Sequence, residues 1–248
     1  MHRTLQNIKH NLTVPLKIIL ILPTQKMVLK ICFIFFLLIS LCSCFEVIEE
    51  INFNKNGSGV FKLSLNLSQS KNEINTLMRL DSSSGYHIPK VNDINASFNQ
   101  AIATLKKTEG LSNITIKRDF KNWIFELKTE FKSTKNLETG LKNIYADFLD
   151  DESKAPKNKL GFDGKLAKRE SAPLEAATRK RMNNPTEKRI LTKAKYTTIY
   201  HFENQISSYT NKRAKVSPSK KAIMLQSSLL NIINQKETIE NQIKLYVP

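Results

Sequence analysis

The side chains able to do chemistry are few and scattered. After residue 44 the chain holds two histidines, His87 and His201, and no cysteine, since the three cysteines are Cys32, Cys42 and Cys44. That distribution excludes a disulfide framework, a cysteine-type zinc site and a cysteine nucleophile from the body. Neither His-Glu-x-x-His nor Gly-x-Ser-x-Gly occurs. His87 falls in a polar loop and His201 in an alternating strand between Tyr200 and Phe202, the settings of ordinary surface or edge histidines. Gly57-Ser58-Gly59 lacks the third glycine of a dinucleotide loop, and Gly161-Phe162-Asp163-Gly164-Lys165 has two residues between its glycines where a phosphate-binding loop needs four, so both read as turns. Asp150-Asp151-Glu152 offers hard oxygen ligands without the alternating spacing that wraps a loop around calcium, and reads as the solvated exit of a helix. The expectation is a protein with no catalytic residue, no metal and no cofactor. Paired carboxylates, which are set by space rather than by sequence, are the catalytic arrangement this leaves open.

Charge carries the expectation about partners. The chain has 39 Lys and Arg against 22 Asp and Glu, a formal net charge of +17. Residues 153–195 hold 13 of those basic residues against 4 acids, and Lys168, Arg169, Arg179, Lys180, Arg181, Lys188 and Arg189 fall there in short clusters. Such clusters suit phosphates or anionic glycans, at about 1 kcal/mol per basic residue near an anionic membrane surface. Phe162 is the aromatic of this stretch, so base stacking has little to work with and a nucleic-acid partner is disfavoured. A solvated linker is the plain reading of the stretch, and contact with anionic lipid or glycan is the functional one.

The N-terminus reads as a targeting segment. Lys26 and Lys30 flank the start of an apolar run over residues 31–41, which is 11 residues long. That is the length of a signal-peptide core, short of the ~20 residues a spanning helix needs. Leu41-Cys42-Ser43-Cys44 resembles the lipobox of bacterial lipoproteins, which makes Cys44 the lipidated first residue of the mature chain; a frame ending at Cys42 would place the bulky Leu41 before the cleavage point. Residues 1–26 precede a complete signal with its own Met27 and read as an upstream annotation artefact. Removal of residues 1–43, which contain Arg3, Lys9, Lys17, Lys26 and Lys30 and no acid, leaves 34 basic and 22 acidic groups, or +12. Each buried methylene of a lipid anchor contributes about 0.8 kcal/mol, so two chains or more, such as a palmitate beside a second acyl chain, hold the protein stably at a membrane.

The elements that must position any site follow from periodicity. Residues 45–53 read as a strand with Phe45, Val47, Ile51 and Phe53 on one parity, a face that Glu49 interrupts. Asn56-Gly57 signals a hairpin turn into a second strand, where Phe61, Leu63, Leu65 and Leu67 alternate with polar residues. Ile74, Leu77 and Met78 mark a short helix, and Ile94, Phe98, Ile102 and Leu105 a longer one ending near Gly110. A second hairpin pairs Ile114, Ile116 and Phe120 with Trp123, Phe125, Leu127 and Phe131, and Leu137, Leu141, Ile144, Tyr145 and Phe148 trace another helix. Periodicity then fails across residues 153–195, read as a mobile basic insertion. It resumes with Tyr196, Thr198, Tyr200 and Phe202, a hairpin about Pro218-Ser219, a short helix over residues 227–233 and a last strand through Ile243 and Leu245. The fold class expected is α+β, an antiparallel sheet of hairpins with helices packed on one face, plus a flexible basic insertion. Residues 1–43 are the signal region, 44–152 and 196–248 the two parts of one domain, and 153–195 the low-order insertion between them.

The stretch from Glu46 to Leu67, a Glu soon after the Cys and then Ile-x-Phe-Asn-x-Asn-Gly-Ser-Gly leading into an alternating strand, resembles a class of Bacteroidetes-type envelope lipoproteins. More distantly it resembles the LppM-type lipoprotein domain, with a vaguer echo in residues 216–245. The resemblance implies an envelope location and an α+β fold, and brings no catalytic residue with it. The function expected is a lipid-anchored cell-envelope lipoprotein, with the outer membrane as the favoured site, that acts as a binding or assembly module and not as an enzyme. An envelope hydrolase is the alternative reading, and a nucleic-acid binder a third.

Overall fold

The computed structural model describes residues 45–83, 86–149 and 159–246. Residues 1–44, which include the expected signal region and Cys44, and the Asp150-Asp151-Glu152 cluster lie outside the described residues. In chain order the elements are β1 (Glu46–Phe53), β2 (Gly59–Asn66), α1 (Lys71–Leu77), β3 (Ser82–Ser83), β4 (Tyr86–His87), α2 (Val91–Lys107), β5 (Leu111–Asp119), β6 (Ile124–Phe131) and α3 (Thr134–Leu149). They continue with β7 (Lys159–Phe162), β8 (Leu166–Glu170), α4 (Ala176–Met182), α5 (Pro185–Leu191), β9 (Lys195–Phe202), β10 (Ile206–Tyr209), β11 (Lys215–Val216), β12 (Ala222–Ser228), α6 (Leu229–Ile233) and β13 (Asn241–Leu245). No helix among the described residues is long and apolar enough to cross a membrane.

A seven-stranded sheet runs β11-β12-β9-β1-β2-β6-β5, and a four-stranded sheet runs β10-β13-β8-β7. The fold is α+β, as the patterning implies, but the large sheet is mixed rather than antiparallel. Its central pair, β1 and β9, is parallel, with Glu46 opposite Lys195 and Phe53 opposite Phe202. Hairpin logic applies to strands joined by a tight turn. Here the free edge of β1 is filled by β9, a strand distant in sequence that no tight turn ties to it, so hairpin geometry does not set its direction. The β1–β2 hairpin forms in the expected register, with Phe53 opposite Gly59. Its loop is five residues long, closed by Asn54 N donating to Ser58 O at 2.8 Å, and only Gly57 takes a positive φ, of 85°.

One face of the large sheet carries the core. Ile51, Phe53, Phe61, Phe131, Tyr200, Phe202, Ile223 and Leu225 point inward from it. Helices α2 and α3 pack at its β5–β6 end, and the four-stranded sheet contributes Leu160, Ala167, Ile206, Ile243 and Leu245 to the same core. Phe53 stacks on Phe202 with centroids 5.4 Å apart and meets Phe162 at 4.7 Å. Each such buried ring contributes about 1.5–3 kcal/mol relative to exposure. At the other side Phe98 of α2 packs on Phe125 at 5.1 Å, and Arg118 of β5 lies over the Phe98 ring while donating to Asn95 and Asn99, which pins the helix to the strand.

Residues 159–195 are the main correction to the sequence reading. They hold two strands of the four-stranded sheet and two short helices instead of a low-order insertion. Periodicity fails there because the strands are only four and five residues long, with Leu160 and Ala167 as their fully buried positions. The helices, of seven residues each, bury no more than one edge.

Candidate functional site

Glu49, the acid that interrupts the apolar face of β1, sits inside the protein at 4% exposure. The parallel register of β1 and β9 brackets it, with Val47 opposite Tyr196 and Ile51 opposite Tyr200, so two tyrosines four residues apart converge on one carboxylate. Tyr196 donates to Glu49 Oε2 at 2.7 Å and Tyr200 to Oε1 at 2.9 Å. The third donor comes from the other sheet, where Arg169 of β8 reaches Oε2 at 2.9 Å with its side chain 9% exposed. A buried ion pair therefore bridges the two sheets.

The electrostatics follow from that enclosure. Burial, the Glu49 charge and the hydrogen bond to it push the hydroxyls of Tyr196 and Tyr200 well above the ordinary phenol range, against the pull of Arg169, so both remain donors. Burial works against the Arg169 charge, but Glu49 beside it and the surrounding phenols hold the guanidinium protonated. Tyr145 of α3, partly exposed as a residue, is raised as well, by burial of the phenol and by Glu49. Arg169 keeps one buried donor, Nε, without a hydrogen-bond partner among the described residues.

Beside this network opens a groove of about 340 Å³. Pro173, Leu174, Leu229, Ile232, Ile233 and Ile239 make its apolar walls; Tyr145 and Tyr196 connect it to the buried pair, and Gln235, Glu237, Thr238 and Glu240 line its polar side. Glu237 is held by Arg213 at 2.7 Å, by the Ser228 amide at 3.0 Å and by Asn231 at 2.9 Å. Burial raises its pKa, but Asn231, Arg213 and the amide outweigh that and hold it below the ordinary carboxylate value.

The expected basic cluster divides. Arg169 is buried against Glu49 and cannot serve as a surface contact, which corrects its assignment to an anion-binding surface: a guanidinium facing a core-side carboxylate is drawn inward. Lys168, next to it in β8, points outward and pairs with Glu170 at 2.8 Å. Arg179, Lys180 and Arg181 fall together in the last turn of α4, and Lys188 and Arg189 fall on the adjoining α5. His87 is exposed in β4. His201 lies on the open face of the large sheet, 3.2 Å from Glu50, which pairs with Lys62 at 2.5 Å. Among the described residues no group of three or more His, Cys, Asp or Glu could hold a metal ion. Sequence reasoning missed the Glu49 network, although its signal was present: an acid at a core-facing strand position requires a buried cationic or hydrogen-bonding partner.

No protein-family model matches the chain, and no curated protein matches it in sequence. Among solved structures it is similar to the folded domain of LppM from Mycobacterium tuberculosis, determined by NMR. The TM-score is 0.40 and the identity 9%, over 83% of this chain and 92% of that one. No residue role is carried over from it.

Proposed function

We propose that this chain is a lipoprotein of the bacterial cell envelope, anchored through Cys44, whose domain is a binding module and not a catalyst. Its groove takes an apolar chain bearing an uncharged, hydrogen-bonding head. The observation that carries the reading is the groove itself. Its volume of about 340 Å³ is at the lower end of small-molecule sites, which run from ~300 to 1,000 Å³. Six apolar side chains make its walls, while Gln235, Thr238 and Glu240 on the polar side offer hydrogen-bonding groups and the Glu240 carboxylate disfavours an anionic head. The Glu49 carboxylate already accepts from three donors, which suits a fixed floor better than a reacting group.

The test compares a fluorescent monoacylglycerol with a fluorescent fatty acid of the same chain length at neutral pH. The monoacylglycerol is expected to bind with a blue-shifted emission, the fatty acid to bind more weakly, and Ala172→Trp, which fills the groove from its wall, to abolish both. Absence of binding by the unsubstituted protein, or equal binding by a folded Ala172→Trp variant, refutes the proposal.

A further inference from the structure

The first described residue, Phe45, is one peptide bond from Cys44 and is fixed in place. Its carbonyl accepts from Lys195 N at 3.0 Å, at the start of β9. Its ring packs with Leu174, Met182 and Leu229 against the buried cluster of Leu191, Leu230 and Ile233. Phe45 therefore shares one small core with α4, α5 and α6. Since neighbouring Cα atoms lie ~3.8 Å apart, a lipid carried on Cys44 leaves the domain at this end and no other.

The same end is strongly basic. From Ala176 to Lys195 the sequence has Arg179, Lys180, Arg181, Lys188, Arg189, Lys193 and Lys195 against Glu187 alone. Lys180, Arg181 and Lys188 are exposed, and among the described residues no carboxylate pairs with them. Unpaired cations gathered at the anchor end are what an anionic surface would recognise.

We propose that the α4–α5 surface lies against an anionic phospholipid bilayer and sets the orientation of the domain on it. The assignment rests on the lipoprotein reading of Cys44. It also gives the groove an address, because Leu174, Leu229 and Ile233 belong both to the groove wall and to the apolar cluster under Phe45. The opposite end of the sheet, at the loop after Phe53, is eight strand residues away, or about 25 Å.

The experiment reconstitutes the full membrane-extracted protein in vesicles of phosphatidylcholine with phosphatidylglycerol. The protein carries a single added cysteine with an environment-sensitive dye, either Lys180→Cys on α4 or Lys55→Cys in the distant loop. Headgroup-nitroxide lipid is expected to quench the Lys180 label several-fold more than the Lys55 label. Removal of phosphatidylglycerol, or Arg181→Gln with Lys188→Gln, is expected to weaken that quenching. In that double variant each lost charge lowers the population held at the surface roughly fivefold. Equal quenching at both positions, or quenching at neither, overturns the orientation. A chain with no added cysteine tests the anchor separately: a thioether-linked Cys44 takes no maleimide. A labelled Cys44 overturns the anchor reading, and the two body labels then score the basic surface alone.

Discussion

Removing Arg169 isolates a charge inside the protein. In Arg169→Met the Glu49 carboxylate, 4% exposed, keeps two phenol donors and loses its counterion. At charge centres ~4 Å apart and an effective dielectric near 20, the lost attraction is about 4 kcal/mol. Breaking one side of a buried pair costs about 3–5 kcal/mol by the same reasoning. Against a domain stability of ~5–15 kcal/mol, that is a large fraction of the total. Urea unfolding can be followed through Trp123, the single tryptophan, which is 5% exposed and donates to Asn75. With a slope of ~2 kcal/mol per molar, the midpoint should fall by roughly 2 M with the slope unchanged. The second half of the prediction is recovery: Glu49→Gln in the same chain removes the orphaned charge while leaving a carbonyl for the tyrosines, and should restore more than half of the loss. A single variant that costs under ~1 kcal/mol, or a double variant no more stable than the single, refutes the view that the pair is fully desolvated.

Two further outcomes are expected. Gly59→Ala should lower the thermal midpoint by several degrees in a calorimetric scan, because the added Cβ would stand 2.2 Å from Asn52 O and 2.7 Å from the Phe131 ring; overpacking of this kind costs ~1–3 kcal/mol. Glu237→Gln should destabilise most at neutral pH. The folded carboxyl lies below its ordinary value of 4.5, so its contribution is present above that pH and is lost as pH falls through the lowered value. The denaturant midpoints of variant and parent should accordingly converge in acid, and a pH-independent gap contradicts the assignment.

Alternation made much of the large sheet legible. The register that places Phe61 opposite Ile51 is the one their periodicity and the Asn56-Gly57 turn imply. The helix carrying Phe98 and Leu105 and the hairpin around Asp119 and Trp123 follow from the same rule. The parallel partner of β1 was not legible, because nothing in Tyr196-Thr197-Thr198 records which strand it will lie beside. Nor was the four-stranded sheet, since Lys-Leu-Gly-Phe and Leu-Ala-Lys-Arg-Glu are too short to show a period and too charged to suggest burial. The groove escaped for a related reason: its walls come from residues 145, 171–174, 196 and 229–240, which only the folded chain brings together.

The central position of β1 has a consequence for how the chain is made. Its partner Lys195 lies 149 residues beyond Glu46 (195 − 46), and at ~5–20 residues per second roughly 7 to 30 s pass between the synthesis of the two strands. Throughout that interval one side of β1 is an open edge, able to join a strand of any other chain. Three acids in eight residues, Glu46, Glu49 and Glu50, make union with the β1 strand of a second copy repulsive. Glu49 thus carries a charge on the unpaired strand that Arg169 neutralises only when the two sheets come together.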